Sequence, residues 1–263
     1  MIMTNYGTDP KHTLKDKVTI ITGAARGMGK AIAKTLAERG ATVVLNDVKN
    51  NNRQLEILRE EIEMKNGEAI VFTADVSDWQ QVSQMVDTVL QKYGQIDILV
   101  NNAGILRRRA SIDEIDEKEW DTVMAVNVKG VFNCSKAVLP TMKNRRYGKI
   151  VNISSSAGRS TSELGGAHYT TSKAAVLGLS RHLAREAAPF GINFNAICPG
   201  LIDTPMVRET TTPEELEKWK KVIPMGRLGT PDEVANLVLF LVSEDSSYIN
   251  GATIDIGGAS LLI

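Results

Sequence analysis

A tyrosine and a lysine stand four positions apart at Tyr169 and Lys173, a spacing that puts both side chains on one face of a helix. A free phenol titrates at about pH 10, and a neighbouring ammonium group favours the phenolate and lowers that pKa. The pair could therefore serve as a general acid or base near neutral pH. The alternative, for such a short pattern by itself, is a solvated helix face.

A run of three serines follows an apolar segment that reads as a buried strand. Ser154, Ser155 and Ser156 come directly after Ile153, where a hydroxyl could hydrogen-bond a reacting hydroxyl or carbonyl oxygen. In a doubly wound sheet the ligand crevice lies outside the carboxyl ends of the strands. Ser155 is the preferred member of the run, with Ser154 and Ser156 as minor alternatives.

A glycine-rich turn between the first apolar run and the first helix predicts a phosphate site. Gly23, Gly27 and Gly29 follow a Gly-x3-Gly-x-Gly pattern, which allows a tight turn and lets a pyrophosphate approach the helix N-terminus. Asp47, at the end of the second predicted strand, could accept hydrogen bonds from ribose hydroxyls and would repel a 2′-phosphate. It favours NAD over NADP, whereas Arg26 in the turn is a conflicting sign. The alternatives are an ordinary tight turn and a strand-end aspartate.

These residues require a scaffold of alternating strands and helices. Short runs rich in Val and Ile predict buried parallel strands at 18–22, 42–46, 69–73, 96–100, 149–153, 193–197 and 253–256. Helical periodicity predicts helices at 27–39, 53–66, 78–93, 118–143, 169–190 and 231–243. The pattern predicts an α/β class, single-domain Rossmann fold: a seven-stranded doubly wound parallel sheet with helices on both faces. We expect residues 1–13 to be a polar tail and residues 14–263 to be the domain.

Composition narrows the function classes. The chain has 263 residues, with 31 Lys and Arg against 31 Asp and Glu, so its net charge offers no general attraction to nucleic acid or membrane. Two cysteines and three histidines predict neither a disulfide framework nor a metal site. No signal peptide or membrane span is visible, and we expect a cytoplasmic protein.

Taken together, these motifs resemble the short-chain dehydrogenase/reductase family from about Leu14 to Gly258. The matching positions are 22–29, Asp75, Val76, 101–104, Asn127, Ser155, Tyr169, Lys173 and 198–200. One departure is the 14-residue step from Ser155 to Tyr169, where many members have 13, an extra residue that a loop can absorb.

The resemblance implies a catalytic group of Asn127, Ser155, Tyr169 and Lys173. Tyr169 would exchange a proton with the substrate oxygen, Ser155 would polarise that oxygen, Lys173 would lower the pKa of Tyr169 and hold the nicotinamide ribose, and Asn127 would hold a water linked to Lys173. The cofactor would be held by Gly23, Arg26, Gly27, Met28, Gly29, Asp47, Asp75, Val76, Asn102, Ala103, Gly104, Tyr169, Lys173, Pro199, Gly200, Ile202 and Thr204. Asn127 could instead be a helix-surface amide, and Thr204 a helix cap.

The implied activity is an NAD(H)-dependent oxidoreductase that acts on a secondary alcohol or ketone of the polyol, sugar or hydroxy-acid class. The alternative is a 3-oxoacyl-[acyl-carrier-protein] reductase, which the preference for NAD and Asn133 in place of a usual arginine disfavour, although Arg185 fits. A non-catalytic NAD-binding regulator is a remote alternative.

The substrate is expected to meet a flap at residues 201–221. Arg107, Arg108 and Arg109 suggest an anionic substrate group, or else a solvated loop. His168 could touch substrate, begin a helix or lie at an interface. The resemblance also implies a homotetramer, with 118–143, 169–190 and the apolar C-terminus as contact surfaces.

Overall fold

Parallel pairing joins all the strands in the described part of the chain, which in this computed structural model comprises residues 13–162 and 164–261. The strands are β1 (Val18–Thr22), β2 (Thr42–Asp47), β3 (Glu68–Thr73), β4 (Ile98–Asn101), β5 (Gly148–Ile153), β6 (Ile192–Pro199) and β7 (Thr253–Ile256). They form one seven-stranded sheet in the order β3-β2-β1-β4-β5-β6-β7. This confirms the predicted doubly wound fold, whose strand order reverses between β1 and β4.

The helices of the described residues cover both faces of the sheet. They are α1 (Gly27–Glu38), α2 (Asn52–Glu63), α3 (Trp79–Tyr93), α4 (Glu117–Met124), α5 (Gly130–Arg145), α6 (Ala167–Ala187), α7 (Pro205–Thr210), α8 (Pro213–Val222) and α9 (Pro231–Val242). Apolar residues of α1, α2 and α9 pack on one face, and those of α3, α5 and α6 pack on the other. Because both faces are covered, the central strands are buried along their full length.

β4 begins at Ile98, two residues later than the strand predicted at 96–100. Ile96 and Asp97 precede the strand, and Asp97 is fully buried with its carboxylate accepting from the Val18 N–H at 2.8 Å and from Arg145 at 2.9 Å. The segment is apolar because it is buried, and Asp97 still meets both neighbouring strands, since its N–H donates to the Val18 carbonyl oxygen and its carbonyl oxygen accepts from the Lys149 N–H, both at 2.9 Å. Burial alone therefore misplaced the start of the strand.

The helix predicted at 118–143 is confirmed, but it is not α-helical throughout. A wide π-helical turn over residues 125–129 separates α4 from α5. Such a turn carries one residue more than an α-helical turn and commonly occurs at functional sites. Here it carries Asn127, whose side chain is only 1% exposed. The alternative of a helix-surface amide for Asn127 is therefore wrong.

The flap predicted at 201–221 contains two short helices, α7 and α8. Each begins with a proline after a threonine cap: Thr204 accepts from the Val207 N–H, and Thr212 accepts from the Glu215 N–H. Proline is favoured at the first helical position because its missing N–H would be unpaired there. Residues 1–12 of the predicted tail, Glu163 and the last two residues of the apolar C-terminus lie outside the described part of the chain.

Candidate active site

The carboxyl ends of the parallel strands meet at one edge of the sheet, and two adjoining clefts open there. The glycine-turn cleft, of about 260 Å³, is lined by residues after β1 to β4, including Arg26, Asp47 and Asp75. The Tyr169 cleft, of about 420 Å³, is lined by residues after β5 and β6 and by the flap. Met28 and Thr204 line both clefts, which are therefore continuous.

The glycine turn (residues 23–29) has room only for glycine at its key positions. A Cβ at Gly29 would lie 2.1 Å from the Gly23 carbonyl oxygen, and Gly23 and Gly27 have φ of +66° and +57°. The first turn of α1 has no side-chain cap from Arg26. Its N–H groups and helix dipole suit a phosphate, so the turn fits the pyrophosphate of a dinucleotide.

Asp47 turns its carboxylate into the glycine-turn cleft at the end of β2. Its Oδ2 accepts from the Ala25 N–H at 3.2 Å, and its Oδ1 accepts from the Val48 N–H and from Asn51 Nδ2, both at 2.8 Å. Asn46 lines the same cleft, and its buried Oδ1 has no hydrogen-bond partner among the described residues. Acceptors at this place fit the hydroxyls of an adenosine ribose.

The residues after β3 and β4 form the far wall of this cleft. Asp75 accepts from the N–H of Ser77 at 2.9 Å and from its hydroxyl at 2.7 Å. Asn102 Nδ2 donates to the carbonyl oxygens of Thr22 and Gly23, so Asn102 ties the glycine turn to β4. Val76, Ala103 and Gly104 also line this wall. All the predicted cofactor residues that follow β1 to β4, except the buried Gly29, therefore line one cleft.

Ser155 and Tyr169 form a hydroxyl pair in the wall of the Tyr169 cleft. Both side chains line this cleft, and the Ser155 hydroxyl acts to lower the pKa of Tyr169. Ser155 follows β5 and also accepts from the Ala157 N–H at 3.1 Å. Ser154 donates its hydroxyl to the Lys173 carbonyl oxygen at 2.8 Å, so this alternative is used in packing. Ser156 also lines the cleft, so the preference for Ser155 within the serine run stays a prediction.

Lys173 is buried on the same face of α6 as Tyr169. Its Nζ donates to the Ile153 carbonyl oxygen at 2.9 Å and lies 5.8 Å from the centre of the Tyr169 ring. A Cβ at Gly104 would lie 3.4 Å from both Lys173 Nζ and Asn127 Oδ1, so both groups converge on the loop after β4. Of the four predicted catalytic residues, Ser155 and Tyr169 line the Tyr169 cleft, whereas Lys173 and Asn127 are buried and line neither cleft.

Burial governs the protonation of the two central groups. It raises the pKa of Tyr169 above its usual value of 10.0, and the hydrogen bond with Ser155 opposes that rise. Burial lowers the pKa of Lys173 to about 8. The sequence predicts that Lys173 lowers the pKa of Tyr169, whereas in the chain by itself desolvation has the larger effect.

Asn127 engages the loop after β4 rather than Lys173. Its Oδ1 accepts from the Ile105 N–H at 2.8 Å, and its Nδ2 donates to the Ile105 carbonyl oxygen and to Ser172 Oγ, both at 3.0 Å. These bonds occupy the side-chain amide. The implied link through water to Lys173 stays a prediction.

The residues after β6 complete the Tyr169 cleft. Pro199, Gly200, Ile202 and Thr204 line it, with Thr204 in the capping role that sequence left as an alternative. The flap adds an apolar wall from Met206, Val207, Trp219, Val222 and Ile223. The spacing of the motifs did not predict this wall, because it depends on how α7 and α8 fold back over β5 and β6.

The arginine run does not line either cleft. Arg108 makes a two-pronged ion pair with Glu215 of the flap and donates to the Thr210 carbonyl oxygen at 2.8 Å. Arg109 pairs with Glu119 at 2.6 Å. No charged side chain lines the Tyr169 cleft among residues 13–162 and 164–261. The expected capture of an anionic substrate group by this run therefore has no support in the geometry.

Comparison with known proteins agrees with this geometry. A family profile described as enoyl-(acyl carrier protein) reductase matches residues 23–259. A 3-oxoacyl-[acyl-carrier-protein] reductase of Thermotoga maritima is 43% identical over 250 residues, covering 95% of this chain and 99% of that protein. Oxidoreductase UcpA of Escherichia coli is 40% identical over 256 residues, covering 95% and 96%.

A solved structure, the 3-oxoacyl-[acyl-carrier protein] reductase with bound NAD from Brucella melitensis, is also similar. It has a TM-score of 0.86 and 38% identity, covering 94% of this chain and 92% of that one. The chain belongs to the short-chain dehydrogenase/reductase family, as its motifs predict. It is an oxidoreductase that acts on a CH–OH group or a ketone.

Two further observations concern the described residues only. None of their helices is long and apolar enough to cross a membrane. They contain no group of three or more His, Cys, Asp or Glu side chains that could hold a metal ion.

Proposed function

We propose that this chain is an NAD(H)-dependent oxidoreductase that interconverts a ketone and a secondary alcohol, with a 3-oxoacyl thioester as its substrate class. The observation that carries the proposal is the hydroxyl pair of Ser155 and Tyr169 in a cleft that runs into the glycine-turn cleft. A carbonyl oxygen placed between these hydroxyls would meet a hydrogen-bond donor and a proton donor together.

The substrate class follows from the lining of the Tyr169 cleft and from the names of the relatives. One wall is apolar, with Leu106, Leu164 and Trp219, and suits an acyl chain. Serine and threonine side chains, among them Ser160 and Ser162, also line the cleft and could pair the hydroxyls of a polyol, so the names of the relatives carry the choice of substrate class. The 3-oxoacyl thioester, rather than a polyol, sugar or hydroxy acid, is therefore favoured, in line with the reductase of Thermotoga maritima.

The preference for NAD depends on Asp47 and on the partner of Arg26. The Asp47 carboxylate lies in the glycine-turn cleft, where it would accept from ribose hydroxyls and repel a 2′-phosphate. Arg26, the cation that favoured NADP, is paired with Glu209 of the flap at 2.5 Å. The bound NAD of the Brucella reductase is consistent with this preference.

The mechanism assigns a task to each residue of the catalytic group. The bound cofactor supplies the hydride to the carbonyl carbon during reduction, or accepts it during oxidation. Tyr169 donates its phenolic proton to the substrate oxygen in reduction, and Ser155 donates a hydrogen bond to the same oxygen. Lys173, buried between Tyr169 and the loop after β4, holds the nicotinamide ribose. Asn127 fixes the loop after β4 through Ile105.

The buried lysine has a further role in proton transfer. With a pKa of about 8, Lys173 can exchange a proton near neutral pH without a large free-energy cost. When its ammonium form is present beside the phenol, it favours the phenolate that remains after reduction. Alcohol oxidation should therefore accelerate as pH rises, because Tyr169 must first lose its proton.

A cytoplasmic homotetramer is part of this proposal. Phe132 on α5 is a large exposed apolar side chain, at 46% exposure, and Lys136 lies one turn further along the same helix. This surface belongs to the segment in which the resemblance implies contact between subunits. Light scattering at working concentration should give four times the chain mass of 28.7 kDa.

The proposed activity can be tested with one substitution and a substrate panel. Tyr169→Phe should lower the reduction of a 3-oxoacyl N-acetylcysteamine thioester by at least about 100-fold, because it removes the general acid, and should leave NADH binding unchanged. Tyr248→Phe is the matched control, since Tyr248 is fully exposed.

Three results would contradict the proposal. Retained turnover in Tyr169→Phe would exclude Tyr169 as the acid. Faster turnover of polyols than of the thioester would exclude the substrate class. A wild-type chain that binds NADH but turns over no carbonyl compound would point to the non-catalytic regulator.

A further inference from the structure

The residue directly before Tyr169 is a histidine that solvent does not reach. His168 is 0% exposed and is the second residue of α6. It does not line the Tyr169 cleft. Contact with substrate, one of the roles left open by the sequence, is therefore not supported by its position.

Both ring nitrogens of His168 are engaged. Nδ1 accepts at 2.9 Å from the Tyr169 main-chain N–H, which also donates to the Gly166 carbonyl oxygen at 3.0 Å, and Nε2 lies 3.1 Å from Glu119 Oε1. Because Nδ1 is the acceptor, the hydrogen is on Nε2, which donates to the Glu119 carboxylate. The imidazole thus links the backbone of Tyr169 to a carboxylate on α4.

The chain of contacts continues to the arginine run. Glu119 Oε2 accepts from Arg109 at 2.6 Å, and the Glu119 side chain is only 14% exposed. A Cβ at Gly166 would lie 2.9 Å from Arg109 Cβ and 3.0 Å from His168 Cε1, so these groups pack without spare room. The loop after β4, α4 and the start of α6 are thereby held together.

The carbonyl group of Tyr169 is held from a second direction. The Tyr169 carbonyl oxygen accepts from Ser172 Oγ at 2.8 Å, and Ser172 in turn accepts from Asn127 at 3.0 Å. The Tyr169 ring packs against Gly165, where a Cβ would lie 2.7 Å from it. Side chains of His168 and Ser172 therefore contact the N–H and the C=O of the same residue, in addition to the bond from the N–H to Gly166.

We infer that His168, backed by Glu119 and Arg109, is a positioning residue that aims the Tyr169 hydroxyl at Ser155 and the reacting oxygen. The inference rests on the proposed function, in which Tyr169 is the general acid. Proton transfer depends steeply on distance and alignment, and a shift of about 1 Å in a catalytic group can cost roughly 100-fold in rate. Loss of the imidazole would let the first turn of α6 move without removing any group that touches substrate.

The test compares two substitutions at the same position. In His168→Asn the amide oxygen stands near the former Nδ1 and can still accept from the Tyr169 N–H, but the side chain is too short for Glu119. In His168→Leu both contacts are lost. We expect His168→Leu to lower kcat about 10- to 100-fold, with the KM for the thioester and the Kd for NADH within about twofold of wild type. His168→Asn, which keeps the acceptor for the Tyr169 N–H but loses the bond to Glu119, should have a kcat between that of wild type and that of His168→Leu.

The pH profile gives a readout that a purely structural role would not change. The Ser155 hydrogen bond opposes the rise in the pKa of Tyr169. In His168→Leu the basic limb of the kcat profile for reduction should therefore move to higher pH, because the misplaced phenol loses this bond. His182→Leu, at an exposed position of the same helix, is the matched control and should leave kcat and the profile unchanged.

A double-mutant cycle separates the pathway through Glu119 from a local effect. Glu119→Ala should lower kcat in the wild-type background and have little further effect in His168→Leu. Additive losses would overturn the link to Glu119. Wild-type kcat in His168→Leu, or equal losses in the Leu and Asn variants at equal melting temperatures, would overturn the inference. Turnover by Tyr169→Phe would instead overturn the proposed function itself.

Discussion

Replacement of Asp47 by alanine is the sharpest probe of the glycine-turn cleft. The carboxylate stands at the end of β2 with its oxygens held by the N–H groups of Ala25 and Val48. Asp47→Ala removes both the acceptors for ribose hydroxyls and the charge that opposes a 2′-phosphate. The ratio of NADPH affinity to NADH affinity should therefore rise.

The magnitude comes from two contributions. A hydrogen bond to a charged group contributes about 1.5–3 kcal/mol, so the Kd for NADH should rise roughly 10- to 100-fold. Two unit charges about 4 Å apart repel by roughly 1 kcal/mol in water and about 4 kcal/mol near a protein surface, and half-buried Asp47 lies between these limits. Together the contributions predict a change of roughly 50-fold or more in the affinity ratio.

The assay titrates the cofactor-free chain with NADH and with NADPH and measures each Kd from nicotinamide fluorescence or by calorimetry. Asp47→Asn keeps an acceptor without the charge and should fall between wild type and Asp47→Ala. Asn51→Ala removes a donor to Asp47 but leaves the carboxylate in place, so it serves as the control. A ratio that changes less than about threefold in Asp47→Ala would refute the assignment of Asp47 as the discriminating residue.

Two further predictions concern the exposed Arg26–Glu209 pair and the buried Lys173. Glu209→Gln should raise the affinity for NADPH about three- to tenfold by releasing Arg26, and the gain should be smaller at high salt because the pair is exposed. Glu217→Gln, which breaks an exposed pair with Lys220, is the control and should leave NADPH affinity unchanged. Equal shifts in both variants would count against a specific role of Arg26. Lys173→Met should abolish turnover yet raise the free energy of unfolding at pH 7 by about 1–3 kcal/mol, because the folded chain no longer holds a buried ammonium group.

The sign of the Lys173 effect follows from its lowered pKa. Between pH about 8 and 10.5 the unfolded wild-type chain binds more protons than the folded chain, so wild-type stability rises with pH through this window. The difference in unfolding free energy between Lys173→Met and wild type, measured by urea denaturation, should therefore shrink towards pH 10. An advantage that is the same at pH 7 and pH 10 would contradict burial as the cause.

The arginine run shows where inference from sequence ends. Three adjacent cations beside a predicted substrate entrance suggest an anion site, but the outcome depends on the acidic groups that the fold brings near. Glu119 lies ten positions from Arg109, and Glu215 lies 107 positions from Arg108. No local pattern connects these partners, so only the packed structure pairs them.

The interrupted helix gives a second example. The apolar periodicity of 118–143 is almost the same for a continuous α-helix as for one with a single wide turn. Which of these two helix forms is adopted depends on the buried amide of Asn127, which forms hydrogen bonds with the main chain of Ile105. That contact crosses from the turn to the loop after β4 and has no signature in the spacing.

The sequence by itself determined the order and type of the strands and most helices, because periodicity and burial along the chain specify them locally. The spacing of Tyr169 and Lys173 and the serine run after β5 also indicated three candidate site residues, whereas Asn127 was implied only by the family resemblance. The tertiary structure alone decided the partners of Arg26, Arg108 and His168. Those depend on distances between elements remote in the chain, and the burial that shifts the pKa of Lys173 likewise depends on all the elements packed around it.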